Sequence, residues 1–189
     1  IDAAGNSTPL LASQAITFDA TAPSVGSVSF SSVSSGSLDS APTDAVTNQN
    51  SGTVVFSYSG NDLAAGESFQ YSIDGINWLS NNLSVDTTNN TVAISNLSLI
   101  GSPTVRLRAI DAAGNTNPLL ASQAITFDAT APSVGSVSFS SVSSGSLDSA
   151  PTDAVTNQFS GTVVFSYSGN DLAAGESFQY SIDGINWLS

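Results

Sequence analysis

The chain has no Cys, His, Met or Lys, and its only basic residues are Arg106 and Arg108. Each absence removes a class of function. Without Cys there is no disulfide staple and no thiolate nucleophile. Without His or Lys, the commonest general base and the Schiff-base former are gone. Without His or Cys, zinc and copper lose their preferred ligands. Two cations against 15 Asp+Glu leave a net charge of −13. That balance argues against nucleic acid and anionic membrane surfaces, since both are held by clustered Lys and Arg. No apolar run approaches the ~18 residues of a membrane-crossing helix, so direct membrane insertion is not expected. Helical periodicity is nearly missing too. The acidity suits cation binding and solubility at high salt.

What the chain does have is itself, almost twice over. Residues 1–80 return at 110–189 with an offset of 109, and only Ser7/Thr116, Thr8/Asn117 and Asn50/Phe159 differ. A period this long exceeds that of solenoids and propellers and equals the size of one domain. Near-identical copies in series suit a task that scales with number, such as length or avidity, and suit a one-off active site poorly. Their expected partners are therefore neighbouring copies of the same repeat in one chain.

Short apolar runs lie between clusters of Gly, Ser, Asn, Asp and Pro. Large apolar residues alternate with polar ones in Phe69-Gln70-Tyr71-Ser72-Ile73, in Val54, Phe56 and Tyr58, and in Val105, Leu107 and Ala109. The last set turns Arg106 and Arg108 toward water. This is the period of half-buried strands. Seven strands per repeat are predicted, at about 25–32, 53–59, 68–74, 76–80, 90–96, 103–110 and 119–128. Asp74-Gly75 is a hairpin signal, since a type I′ turn needs positive φ. Trp78, just past that turn, is expected to pack across the core. The fold class is all-β, an antiparallel β-sandwich.

Pro23 and Pro132 end their strands in the recurring Phe18-Asp19-Ala20-Thr21-Ala22-Pro23, because proline cannot donate to a ladder. Residues 22–130 are then one complete domain. Residues 1–21 are the last strand of a preceding copy, and 131–189 are the first part of the next. Neither end can close its own sandwich, so each is expected to be disordered, swapped or completed by a neighbouring chain.

Ile110-Asp111-Ala112-Ala113-Gly114-Asn115, the closing Asp128-Ala129-Thr130-Ala131-Pro132, and Tyr71-Ser72-Ile73-Asp74-Gly75-Ile76-Asn77-Trp78 together resemble bacterial immunoglobulin-like repeats. Such repeats form the extender regions of giant secreted RTX-type adhesins. The resemblance implies an immunoglobulin-like sandwich, a rod-like spacer at the bacterial surface, and stiffening by calcium between domains. It says nothing of the ligand of any distal domain.

An odd number of alternating strands puts the incoming and outgoing linkers at opposite ends. Asp19, Asn61, Asp62, Glu67, Asp111 and Asn115 then collect at the incoming end. Asp39, Asp44, Asp74 and Asp128 collect at the outgoing end, and the next copy supplies Asn170, Asp171 and Glu176. Ca²⁺ takes six to eight oxygens from such groups. The expected sites are Asp19 with Asn61, Asp62, Glu67, Asp111 and Asn115, and Asp128 with Asp171 and Glu176. The same Asp and Asn residues are also ordinary turn formers, because their side chains bond their own backbone. Asp62 with Glu67 is the one carboxylate pair that could serve glycoside hydrolysis, and it lies on a loop with no evident cleft. Two functions follow. The first is a non-enzymatic extender. The second is a repeated module binding a glycan, ice or a protein by avidity, which would display Tyr58, Tyr71 or Trp78.

Overall fold

The computed structural model describes residues 2–9, 12–36, 42–60, 62–143 and 152–189. The described residues contain strands and no helix. The chain divides into two compact units, residues 1–129 and 130–189.

In unit 1, β1 (Val28–Val33), β3 (Ser51–Tyr58), β6 (Thr91–Ser98) and β5 (Leu83–Asp86) form one antiparallel sheet in the order β1-β3-β6-β5. β4 (Ser68–Ser72), β7 (Thr104–Ile110) and β8 (Thr116–Ala124) form a second, in the order β4-β7-β8. A short parallel pair joins β2 (Val46–Thr47) to β9 (Thr126–Phe127). The alternation of the sequence is what lets the sheets face each other. In β7 every second residue is buried, so Val105, Leu107 and Ala109 point inward between the half-buried arginines. They meet Val54 and Phe56 of β3, Val92 and Ile94 of β6, and Phe69 and Tyr71 of β4 in one core. Two antiparallel sheets sharing one apolar core are the arrangement of a β-sandwich.

The registers fix the ends. Val28 at the start of β1 pairs with Tyr58 at the close of β3. The Tyr58 and Phe69 rings lie 5.7 Å apart, which sets the beginning of β4 beside that point. Ser68 pairs with Ile110, and Ile110 with Thr116, so the loop 111–115 shares this incoming end. Thr104 pairs with Ala124 at the other end. β1 therefore starts at one end of the sandwich and β8 finishes at the other. Gly26 is required at the entrance, because a Cβ there would stand 1.9 Å from the Ser59 carbonyl oxygen.

Three expectations need correction. Residues 76–80 are not a strand, and Asp74-Gly75 is not a two-residue turn. Asp74 Oδ1 accepts from the amides of Ile76 and Asn77 and from Ser72 Oγ, so the chain rounds a wide loop. That loop closes only where Tyr71 and Leu79 exchange backbone hydrogen bonds. The chain then crosses to the other sheet and forms β5, in a stretch read as loop because Leu83 and Val85 are its only large apolar residues. Trp78 is not in the core. It is half-buried on the outside of the second sheet, with the Arg108 guanidinium 4.2 Å from its ring centre. Arg108 is itself fixed by donating from Nε and Nη2 to Gln70 Oε1, at 3.0 and 2.8 Å.

Unit 2 contains β10 (Val137–Val142) and β11 (Val163–Tyr167), paired antiparallel. Their register repeats that of β1 and β3 pair for pair, including the bulge at Phe139/Ser141, equivalent to Phe30/Ser32. The edge-on Phe30–Phe56 ring contact returns as Phe139–Phe165.

Candidate functional site

The acids at the incoming end of unit 1 each close on a nearby turn. Asp111 Oδ1 accepts from the Asn115 amide at 2.8 Å, and Oδ2 accepts from Asn115 Nδ2 at 2.8 Å. The hydrogen bond from the Asn115 side chain holds the Asp111 carboxyl below its ordinary pKa, against the opposing effect of burial and with smaller help from the neighbouring backbone amides. Glu67 Oε2 accepts from the Ala64 amide at 2.8 Å. Asp62 Oδ1 accepts from the Tyr58 hydroxyl at 2.8 Å. Burial, then that bond to a carboxylate, pushes the Tyr58 phenol up to about 12. Asp19 Oδ1 accepts from the Thr21 amide at 2.9 Å. Asn61 and Asp39 lie outside the described residues.

These bonds are local, and the partial copies show it. Asn6 donates from its amide and from Nδ2 to Asp2, as Asn115 does to Asp111, in a stretch that is exposed throughout. The Tyr58–Asp62 and Ala64–Glu67 bonds return as Tyr167–Asp171 and Ala173–Glu176 in unit 2. Residue type and spacing alone build these turns, without the rest of the sandwich.

One contact is not local. Asn115 Nδ2 donates to the backbone carbonyl of Asp19 at 3.1 Å. It ties the segment preceding β1 to the loop between β7 and β8, and so brings Asp19, Asp111 and Asn115 together. Asp62 and Glu67 line a separate groove of about 360 Å³ with Tyr58, Leu63, Phe69 and Leu83, between the edge strands β4 and β5. At the outgoing end Asp44 Oδ1 accepts from the Val46 amide, and the Asp128 amide donates to the Thr47 carbonyl. Asp74 holds its own loop, and its carboxyl lies well below the usual carboxylate range, chiefly through Asn77. Of the expected second group, Asp128 belongs to unit 1, and Asp171 and Glu176 belong to unit 2.

Among the described residues no three carboxylates gather where they could hold a metal ion. Asp19, Asp62 and Glu67 each lend one carboxylate oxygen to a nearby donor, and Asp111 lends both. Sequence reading missed the Trp78–Arg108–Gln70 stack. The signal was available in Arg108 standing on an outward position of β7, opposite Gln70 in register. No protein-family model matches the chain, and none of the curated proteins matches it.

Proposed function

We propose that the chain is a stretch of a non-enzymatic extender, in which immunoglobulin-like sandwiches stand in series and hold a distal binding module away from a bacterial surface. The observation that carries this reading is the placing of the first and last long strands: β1 starts at one end of the sandwich and β8 finishes at the other. A module built this way adds its length to the array. The sheet orders β1-β3-β6-β5 and β4-β7-β8 support the immunoglobulin-like reading, since constant-type domains pair their strands in that order. The tie between Asn115 and Asp19 supports a short, constrained linker.

The reading includes Ca²⁺ as a stiffener at the incoming end, beside Asp19, Asp111 and Asn115. An excess of 13 negative charges and a linker carbonyl already tied to a carboxylate loop favour it. It requires carboxylates to leave their turns, because no three converge among the described residues. The rod does not depend on it.

Repetition for avidity is the second reading. Of the aromatic residues it would display, Tyr58 and Tyr71 are buried, so only Trp78 speaks for it.

Single-molecule extension of an array tests whether the copies stand in series as separate domains. Each copy should unfold as its own event, with even spacing of about 330 Å, from a chain reach of ~3.3–3.6 Å per residue less the folded length. Extension without discrete, evenly spaced events would contradict the proposal.

A further inference from the structure

Arg106 and Arg108 are the only basic side chains of a chain with 15 Asp+Glu. They stand two residues apart on the outer side of β7, and so on one face of the β4-β7-β8 sheet. Among the described residues neither donates to a carboxylate. Arg108 gives its Nε and Nη2 to Gln70 Oε1, and Arg106 Nη1 donates to the Thr104 carbonyl at 3.4 Å. The loop after β4 passes close to Arg106, where a Cβ on Gly75 would stand 3.5 Å from Cζ. Asp74 in that loop turns its oxygens to Ser72, Ile76 and Asn77 instead. A guanidinium has five N–H donors, so each arginine has donors left for a ligand. The same loop lays the Trp78 ring 4.2 Å from Arg108 and leaves Ile76 81% exposed. One face therefore joins all of the side-chain positive charge to a half-buried indole.

We propose that this face binds a sugar carrying one carboxylate, a uronic acid within an otherwise neutral glycan. Gln70 and the Trp78 ring already pin the Arg108 guanidinium, so little side-chain freedom is lost when it takes a carboxylate. Its planar fork matches the two carboxylate oxygens. The indole offers an apolar surface to the C–H face of the sugar ring beside them. The rest of the chain limits the charge of the ligand. At −13 overall it repels a nucleic acid, a polysulfated chain or a second copy of itself, each of which brings many negative charges. A single carboxylate meets mainly the two cations beside it, because salt screens the more distant acids. The inference rests on the second reading above, that a copy displays Trp78 as a binding surface, and gives that reading its ligand class.

The test titrates the full 189-residue chain with a trisaccharide ending in one glucuronic acid, and in parallel with its neutral glucose counterpart. The readouts are the NMR signals of the Trp78 indole N–H and the Arg108 Nε–H, with Trp187→Phe assigning the indole. The expected result is a saturable shift of both signals by the acidic sugar, and binding of the neutral sugar weaker by about tenfold, the scale of a charge-assisted hydrogen bond. Trp78→Ala should weaken both sugars, and Arg108→Gln the acidic one far more than the neutral one. Arg106→Gln removes only the 3.4 Å bond to Thr104, leaves the Arg108–Trp78 stack in place, and should weaken the acidic sugar alone by roughly threefold. That variant carries the test if the other two disturb folding. No saturable shift with either sugar would overturn the proposal together with the avidity reading of Trp78. Equal binding of both sugars would overturn the proposal alone. A dimer of the chain that Arg108→Gln dissolves would also overturn it, by placing a second copy on this face.

Discussion

Asn115 Nδ2 donates to the Asp19 carbonyl across 96 residues of sequence, and the same amide group donates to Asp111 Oδ2. One side chain thus fastens the incoming segment and closes its own loop. Asn115→Ala removes both bonds and should cost about 1–2 kcal/mol, read from the urea midpoint. Asn6→Ala removes the one equivalent local side-chain bond, to Asp2 Oδ2, in an exposed stretch and should leave the midpoint unchanged. Equal effects would show that the tie to Asp19 contributes nothing.

The pH dependence follows from which groups are present. With no His, Lys or Cys, nothing but chain termini titrates between about pH 5 and 9. Asp74, Asp86 and Asp111 have folded pKa values below their unfolded ones, through hydrogen bonds from Asn side chains and backbone amides. Their contribution is present above about pH 4 and is lost as pH falls toward the folded values. Tyr58 is the reverse. Its phenol is raised to about 12, so its contribution is present below pH ~10 and is lost between there and 12. Stability should form a plateau from about pH 5 to 9 with a fall on each side. Tyr58→Phe should remove most of the alkaline fall and leave the acid fall in place. A profile of denaturation midpoint against pH for both chains checks this.

The buried Phe56 of unit 1 and the exposed Phe165 of unit 2 can be compared by one substitution made twice. Phe56→Ala should destabilise unit 1 by about 3–5 kcal/mol, because it leaves a cavity in a closed core. Phe165→Ala changes the same residue in the same local sequence, and should cost well under 1 kcal/mol because Phe165 is already exposed. Similar costs would mean that unit 2 is covered in solution.

Much of this was legible in the sequence. The alternation through Val105, Leu107 and Ala109 gave β7 its inner and outer faces. β5 was not legible, because two apolar residues between Asn-rich turns are too few to show a period. Trp78 was misplaced because a large aromatic after a turn reads as core, and only the pairing of Gln70 with Arg108 reveals a platform outside it. The acids were ambiguous for a chemical reason. The Asp and Asn side chains that bind calcium are those that close Asx turns, so spacing alone cannot separate the roles.

Calcium can be tested on the same chain. If carboxylates near Asp19 and Asp111 gather on an ion, a tenfold excess of Ca²⁺ over Kd adds about 1.4 kcal/mol. That should raise the melting temperature of unit 1 by roughly 5 °C relative to EDTA. Asp111→Asn should abolish the rise. An unchanged melting temperature in the parent chain would remove calcium from the account and leave the linker to Asn115.

The most direct test of the extender reading is small-angle X-ray scattering on arrays of two, four and six 109-residue copies. β8 alone, at nine residues and ~3.3 Å each, spans about 30 Å, so a copy with its linker should add about 35–45 Å. The maximum dimension should rise linearly with copy number by that increment. A dimension that grows only as the cube root of copy number, as in a compact cluster, would contradict it.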